Sequence, residues 1–255
     1  TLYRYGQWRG GAPSDAPRYA FDDGLIRKTI AGAAERGHTT LAERDARDIA
    51  EACGIALPKS VFAADEEAAV EAAGQVGYPV VLKISSDDIL HKSDAGGVKV
   101  RLADAEAVRT AFRAIMDSAR RYKPDARLDG VLVQQMAPSG REVIIGVNRD
   151  AQFGPVIMFG LGGIYVEVLK DVTFRVAPLT LRDAREMVSE IRAARILQAF
   201  RGDPPADVEA LAECLTRVSQ LAVEYPELTE CDLNPLRVYP EGQGVMAVDV
   251  RFGLA

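Results

Sequence analysis

The segment Val80–Val100, VVLKISSDDILHKSDAGGVKV, carries the residues best suited to chemistry. An apolar strand ends in Lys83, and the polar loop that follows holds His91 and Gly96–Gly97 before a second strand with Lys99. Glycine lets backbone N–H groups approach oxygen atoms, and lysine supplies a compact positive charge. The segment therefore predicts a phosphate-binding loop in which His91 could meet a phosphoryl group. The alternative is an ordinary hairpin with a solvated, charged loop.

A second group of polar residues lies near the end of the sequence. Asp232 and Asn234 are two residues apart in ECDLNPL, so they share one face of a strand, and Asp249 follows in AVDVRF. If the last two strands pair in antiparallel fashion, Asp249 lies near the other two. Carboxylate and amide oxygens suit Mg²⁺, a hard cation that usually keeps waters and substrate phosphates as well. The alternative is a polar strand face that ends at Pro235.

Between these two groups runs the segment GVLVQQMAPSGREVIIGV. Exposed backbone after a strand can form hydrogen bonds with the edge of an adenine, and Glu142 could accept hydrogen bonds from ribose hydroxyls. Most glutamates of this kind are simply solvated. Alone, this segment is a weak indication of a nucleotide site.

Secondary structure follows from periodicity and turn residues. Thr40 and Glu43 form a capping-box pattern before a helix that ends at Gly54, and Asp65 and Asp104 begin two further helices. Later helices are predicted at roughly Leu181–Phe200 and Asp207–Glu224. Strands are predicted at Val80–Ile84, Val98–Leu102, Gly130–Met136, Glu142–Val147, Pro155–Phe159, Ile164–Leu169, about Leu228–Val238 and Val245–Val250.

This order of elements predicts an α+β protein with two lobes and a cleft between them. Residues 1–25, rich in glycine and proline, are predicted to be a tail or linker. Residues 26–135 would form the N-terminal helices and a small lobe, and residues 136–255 a large lobe.

Composition excludes several classes of protein. The chain has 255 residues, is 48% hydrophobic and carries a net charge of −6, which argues against nucleic acid as a partner. No apolar run approaches the roughly 20 residues that span a bilayer, and we identify no signal peptide. Three scattered cysteines without a CxxC pair, and only two histidines, make a zinc site or a disulfide framework unexpected. Such cysteines suit a reducing cytosol, so we expect a cytoplasmic protein.

Taken together, the strand lysine, glycine loop, hinge strand and terminal acids resemble the ATP-grasp superfamily. More narrowly, the sequence is similar to the nucleotide-binding part of the ADP-forming (NDP-forming) acyl-CoA synthetases, relatives of succinyl-CoA synthetase. The resemblance covers roughly Ala31 to Phe252 and implies the ATP-grasp fold, with the nucleotide between two α+β lobes. It depends most on GYPVVLKI, HKSDAGGV, VQQMAPSGREVIIGV, FGLGGIYVEVLKDVTFRVAPL and DLNPL.

The resemblance also implies roles for individual residues. Lys83 and Lys99 would bind the nucleotide phosphates, Lys99 from just beyond the glycines of a covering loop, and His91 would help to carry a phosphoryl group to ADP. The cofactors would be ATP or ADP and Mg²⁺. Further implied contacts are Gln134, Gln135 and Met136 at the adenine, Glu142 at the ribose, Asn234 and Asp249 on Mg²⁺ with Asp232 alongside, and Arg175 with Gly162–Gly163 facing the incoming phosphate. Gln135 departs from the family, in which glutamate is common at that position.

The implied reaction joins an acid, CoA and ATP to give acyl-CoA, ADP and phosphate through an acyl phosphate and a phosphohistidine. It needs a Rossmann-like CoA-binding domain or α subunit, for which this sequence has no fingerprint, because the GLGG at Gly160 precedes a strand and not a helix. We therefore expect one part of a two-part, oligomeric enzyme. Two alternatives remain: a regulatory ligand-sensing domain of a protein acetyltransferase, and another ATP-grasp carboxylate ligase.

Overall fold

The structure, a computed structural model, describes residues 15–86, 88–89, 92–162, 171–199, 202 and 204–255. The chain divides into two compact units. Residues Pro58–Pro138 form one unit, here called the lysine unit because it contains Lys83 and Lys99. The described residues up to Leu57 group with Ser139–Ala255 in the other, the acid unit.

The described elements are helices and antiparallel strands. The helices are α1 (Asp23–Glu35), α2 (Glu43–Ala52), α3 (Glu66–Val76), α4 (Ala105–Tyr122), α5 (Leu181–Glu190) and α6 (Val208–Glu224), with a short 3₁₀ helix at Ala194–Leu197. The strands are β1 (Ser60–Ala63), β2 (Val80–Ser85), β3 (Val98–Leu102), β4 (Gly130–Gln135), β5 (Arg141–Asp150), β6 (Gly154–Leu161), β7 (Val172–Val176), β8 (Leu228–Val238), β9 (Val245–Ala247) and β10 (Val250–Leu254). No helix in the described part of the chain is both long and apolar enough to cross a membrane.

The lysine unit is a four-stranded antiparallel sheet in the order β1-β4-β2-β3. Helices α3 and α4 cover one face, where Leu82, Ile84 and Val133 join one buried cluster. Both helices begin as predicted: the side chain of Asp65 accepts a hydrogen bond from the Ala68 N–H at 2.9 Å, and Asp104 caps α4 in the same way.

The acid unit contains an antiparallel sheet in the order β10-β8-β5-β6-β7, with β9 paired to β8. Its apolar face packs against α1, α2, α5 and α6 in one continuous buried cluster that includes Val147, Ile157 and Phe252. The other face of β8 carries Glu230, Asp232 and Asn234, because the side chains of a strand alternate. We call it the acid face.

The N-terminal helices belong to the acid unit, whereas the predicted boundaries grouped them with the small lobe. The Leu41 N–H donates to the Phe252 carbonyl at 2.9 Å, and the Leu254 N–H donates to the Thr39 carbonyl at 2.8 Å. These long-range bonds add residues 39–41 to the edge of β10. Nothing in the local sequence signals such pairing. The predicted tail also differs, because α1 begins at Asp23.

The predicted capping box at Thr40 is wrong. Thr40 bridges to Gly253 as part of the extended segment beside β10, and α2 begins only at Glu43, with Ala42 at the N-cap and no side-chain cap. Pairing with β10 therefore fixes the backbone of Thr40 in a conformation that the local pattern did not anticipate.

Two other elements are shorter than predicted. Helix α5 ends at Glu190, and the last strand is interrupted at Val248 and Asp249, between β9 and β10. The predicted strand Ile164–Leu169 lies outside the described residues.

Candidate functional site

The acid face carries the first group of predicted site residues. Strand β8 makes a β-bulge at Asn234 and Pro235, since these two residues oppose Ile144 alone on β5. The Asn234 N–H donates to the Asp249 carbonyl at 3.2 Å, so the bulge lies directly beside the break between β9 and β10. The structure thus brings Asn234 and Asp249 together, and the cause is an irregularity in both strands.

Asp232 lies one step along the same face. Across the sheet its direct neighbours are Arg251 on β10 and Gly146 on β5. Burial raises the pKa of the Asp232 carboxyl above its usual value, the Arg251 guanidinium opposes this shift, and the Asp249 and Glu230 carboxylates add to it. The sheet register and the Asn234–Asp249 backbone bond thus place Asp232 and Asp249 close enough for their charges to interact, with Arg251 beside Asp232.

The donors in this group suit Mg²⁺. Among the described residues no set of three or more His, Cys, Asp or Glu side chains could hold a metal ion by itself. Mg²⁺ is usually held by only one or two carboxylates, with water and substrate phosphates as its remaining ligands. Two carboxylates and one amide oxygen therefore fit a magnesium ion that a nucleotide helps to bind.

Glu142 lies near the start of β5, opposite Arg237 on β8. Arg237 Nη2 donates to Glu142 Oε1 at 3.2 Å, while the glutamate side chain stays 41% exposed. The Gly162 N–H donates to the Glu142 carbonyl at 2.8 Å, and a Cβ at Gly162 would lie 3.0 Å from Glu142 atoms. Glycine is thus needed at position 162 so that the chain can pass close to Glu142.

Lys83 is a buried cation in the lysine unit. Its side chain is 7% exposed, and it pairs with Val98 on β3 and Leu132 on β4. Since Leu82 and Ile84 point into the helix-covered core, Lys83 points to the opposite face of this sheet. A lysine removed from water in this way is suited to a specific anionic partner.

Lys99 does not lie beside Lys83. It pairs with Leu82, and directly opposed residues of an antiparallel pair share one face. Lys99 therefore lies on the face that α3 and α4 cover, although it remains half-buried at the edge strand. The register does not support a shared role for the two lysines.

The glycines of the loop make a tight turn. The Gly97 N–H donates to the Lys92 carbonyl at 2.8 Å, and the Gly96 N–H donates to the Ser93 carbonyl at 3.0 Å. A Cβ at Gly97 would collide with the side chain of Ile84. These N–H groups are used within the turn, so the glycines act here by close packing. His91 lies outside the described residues.

The predicted adenine contacts lie at the end of β4: Gln134 and Gln135 are its last two residues, and Met136 follows. The Gln135 N–H donates to the Lys59 carbonyl at 2.8 Å, and the Met136 N–H donates to the Pro79 carbonyl at 3.2 Å. Both donors are therefore committed to neighbouring segments.

Arg175 lies apart from the acidic group. It pairs with Ile157 on β6, a buried core residue, and its guanidinium bonds Glu190 of α5 at 2.6 Å. Phe174, the preceding residue, takes the acid face instead, in line with Met158, Gly146, Asp232 and Arg251 across the sheet. The alternation of side chains thus places Arg175 on the face opposite Asp232.

Comparison with known proteins identifies the family. The chain matches the ATP-grasp domain family over residues 32–254. The chain belongs to the ATP-grasp family. The matched residues agree with the range of roughly Ala31 to Phe252 that the sequence motifs indicated.

Similar proteins indicate to which branch of the ATP-grasp family the chain is most similar. The chain is 53% identical over 211 residues to the β subunit of acetate–CoA ligase [ADP-forming] I from Pyrococcus furiosus, covering 83% of this chain and 90% of that subunit. It is 42% identical over 254 residues to 4-hydroxybutyrate–CoA ligase [ADP-forming] from Nitrosopumilus maritimus, covering all of this chain but only 36% of that protein.

Solved structures of the dinucleotide forming acetyl-coenzyme A synthetase 1 from Ca. Korarchaeum cryptofilum also match. One, in complex with coenzyme A, Ca-AMPCP and HgCl⁺, superposes with a TM-score of 0.87 at 45% identity, covering 90% of this chain and 99% of that chain. Another, with coenzyme A and Mg-AMPPCP, has a TM-score of 0.79 at 43% identity over 90% of this chain and 100% of that chain. The predicted ATP-grasp fold is confirmed.

Three residues with structural or electrostatic roles in this ATP-grasp chain were not predicted from the sequence. The Asp171 carboxylate accepts hydrogen bonds from the Arg192 and Ala193 N–H groups, each at 2.8 Å, and so fixes the turn after α5. Arg251 lies beside Asp232, and Arg47 is a buried arginine on α2. Arg251 could have been predicted as a site residue from its position two residues after Asp249. No local sequence pattern indicated that Arg47 would be buried.

Proposed function

We propose that this chain is the nucleotide-binding part of an ADP-forming acyl-CoA ligase. It would bind ATP or ADP with Mg²⁺ and exchange a phosphoryl group with a histidine, while acid, CoA and ATP give acyl-CoA, ADP and phosphate. The observation that carries the proposal is the similarity to the Pyrococcus furiosus β subunit, because the chain aligns with 90% of the length of that subunit. Its relative from Nitrosopumilus maritimus contains the same segment as about a third of a longer ligase.

The geometry supports separate roles for the residues that would bind phosphate and those that would bind Mg²⁺. Lys83, a buried cation on a rigid strand, is suited to hold nucleotide phosphates with little loss of side-chain freedom. Asn234 and Asp249, with Asp232 alongside, are suited to hold Mg²⁺, which when bound neutralises charge on the transferring phosphoryl group. Such residues act by position and charge, which is how phosphoryl transfer is mainly catalysed. Lys99 and Arg175 have less support, because each lies on a helix-covered sheet face.

The remaining parts of the proposal concern partners. The chain would act with a subunit or domain that binds CoA, of Rossmann-like fold, in an oligomer in the cytoplasm. One structure of the Korarchaeum enzyme is described with its phosphohistidine segment pointing towards the nucleotide binding site. We propose that such a segment receives the phosphoryl group from ATP here, or returns it to ADP in the reverse direction, and that His91 assists this transfer. Neutral imidazole is a good nucleophile near pH 7, and its phosphoramidate readily returns the phosphate.

Calorimetry on the chain alone tests the nucleotide site. ADP should bind in a Mg²⁺-dependent manner, and Asn234→Ala or Asp249→Asn should weaken that binding roughly tenfold or more, because each variant removes or weakens a proposed oxygen ligand of the metal. Asn148→Ala is the matched control, since Asn148 is an exposed asparagine on the same face. Equal affinities in all variants would refute the assignment.

A second assay tests the need for a partner. ATP, CoA and a panel of short-chain acids are incubated with the chain, with and without a CoA-binding α subunit. Acyl-CoA should form only when both are present. Formation by the chain alone would overturn the two-part proposal.

A further inference from the structure

Helix α2 is attached at both ends to the strands that flank Asp249. Before the helix, the Leu41 N–H donates to the Phe252 carbonyl of β10 at 2.9 Å. After the helix, the Ala56 carbonyl accepts a hydrogen bond from the Ala247 N–H of β9 at 2.9 Å. Asp249 lies in the break between these two strands. A helix of 10 residues is about 15 Å long, so α2 runs alongside the break.

Arg47 occupies the middle of α2 and is buried. Its relative exposure is 6%, whereas Arg44 on the same helix is exposed. Moving a guanidinium out of water is costly unless acidic groups surround it. The location of Arg47 therefore needs nearby carboxylates.

Those carboxylates come from two sources. Glu43 and Glu51 lie four residues before and after Arg47 on the same helix face, and Arg47 Nη2 is 3.8 Å from Glu51 Oε1. Burial lowers the pKa of Arg47, and the carboxylates of Glu43, Glu51, Asp249 and Asp48 oppose that shift. Of these four, Asp249 alone comes from outside α2.

We propose that Arg47 is a positioning residue that orients the Asp249 carboxylate for metal binding. This inference rests on the proposed function, in which Asp249 is a ligand of Mg²⁺. A guanidinium that engages one carboxylate oxygen leaves the other directed at the metal, and partners of this kind are important to metal affinity. The N-terminal helices of the acid unit would then be part of the nucleotide machinery.

The test measures ADP binding by calorimetry as a function of Mg²⁺ concentration. Arg47→Met should raise the Mg²⁺ concentration at half-saturation roughly tenfold and leave metal-free ADP binding unchanged. Arg47→Lys keeps the charge without the planar fork and should raise it by a smaller factor. Arg44→Met should leave it unchanged. In an Asp249→Asn background, Arg47→Met should have no further effect.

The outcomes separate this inference from the proposed function. If the wild type shows no dependence on Mg²⁺, or Asp249→Asn behaves like the wild type, the proposed function fails. If Asp249→Asn weakens metal-dependent binding but Arg47→Met only lowers the urea midpoint of unfolding, the positioning role is overturned. Should Arg47→Met not fold, Arg47→Lys decides, because an unchanged Mg²⁺ midpoint in that variant also overturns the role.

Discussion

Replacing Lys83 and Lys99 separately by methionine distinguishes the positions that the sheet register gives these two lysines from the phosphate-binding role that the family resemblance implies for both. The resemblance assigns both Lys83 and Lys99 to nucleotide phosphates. The register puts Lys83 opposite Val98 and Lys99 opposite Leu82, on different faces of the sheet. Methionine keeps the length of the side chain and removes its charge, so packing is conserved.

Lys83→Met should lose one charge-assisted hydrogen bond to a phosphate oxygen. Such a bond contributes about 1.5–3 kcal/mol, which corresponds to roughly a tenfold to hundredfold loss of affinity. The burial of Lys83 favours the upper part of that range, because water at 7% exposure screens the charge little. Lys99→Met should change affinity by about threefold or less, the effect of a screened charge at an edge strand.

The measurement is calorimetric titration of Mg·ADP into each variant, with urea unfolding as a control for folding. Equal losses in both variants would refute the face assignment, because two residues on opposite sheet faces cannot contact the same phosphates without a change of register. A loss confined to Lys99→Met would refute the role of Lys83 as well.

Other variants test the loop, the core and the turn after α5. His91→Ala should reduce acyl-CoA formation in the reconstituted enzyme and leave ADP affinity nearly intact; wild-type rates would exclude a phosphoryl-carrier role. Gly97→Ala should destabilise the chain by about 1–3 kcal/mol in urea unfolding, since its Cβ collides with Ile84, and an unchanged midpoint would contradict that packing. Asp171→Asn replaces one of the two acceptor oxygens by an NH2 group, so one backbone N–H of the turn loses its acceptor, and the free energy of unfolding should fall by about 1–3 kcal/mol in the same assay. Wild-type stability in this variant would show that the turn does not depend on the carboxylate. Burial raises the pKa of the Cys53 thiol to about 12, so the native chain should resist a thiol reagent at pH 8 and react only when unfolded.

Local sequence patterns correctly predicted those helices and hairpins that depend on residues close together in the sequence. Asp65 and Asp104 begin their helices as expected, and β5 and β6 form the predicted antiparallel hairpin. Thr40 shows the limit of such patterns: its side chain suits an N-cap, yet pairing with Gly253 holds it in an extended segment. Tertiary pairing overrides a capping preference worth only about 1 kcal/mol.

Parts of the candidate site were predictable for the same reason. The spacing of Asp232 and Asn234 gave their shared face, and Pro235 inside a strand was an available sign of a bulge. The faces of Lys99 and Arg175 could not be predicted, because alternation assigns a face only when the register with neighbouring strands is known. The proposed role of Arg47 depends on its electrostatic interaction with Asp249, about 200 positions away in the sequence, which a local pattern cannot contain.

The division of the chain has a consequence for the order of folding. The lysine unit is one continuous segment, Pro58–Pro138, whereas the acid unit is assembled from the segments before and after it. During synthesis the lysine unit can complete its sheet while β8 and β10 are still to be made. Residues 39–41 must wait for β10, their pairing partner, so α2 stays without its final support until the last strand emerges. Nascent chains that are stopped after Pro138 should therefore contain a folded lysine unit beside N-terminal helices that a protease still cleaves.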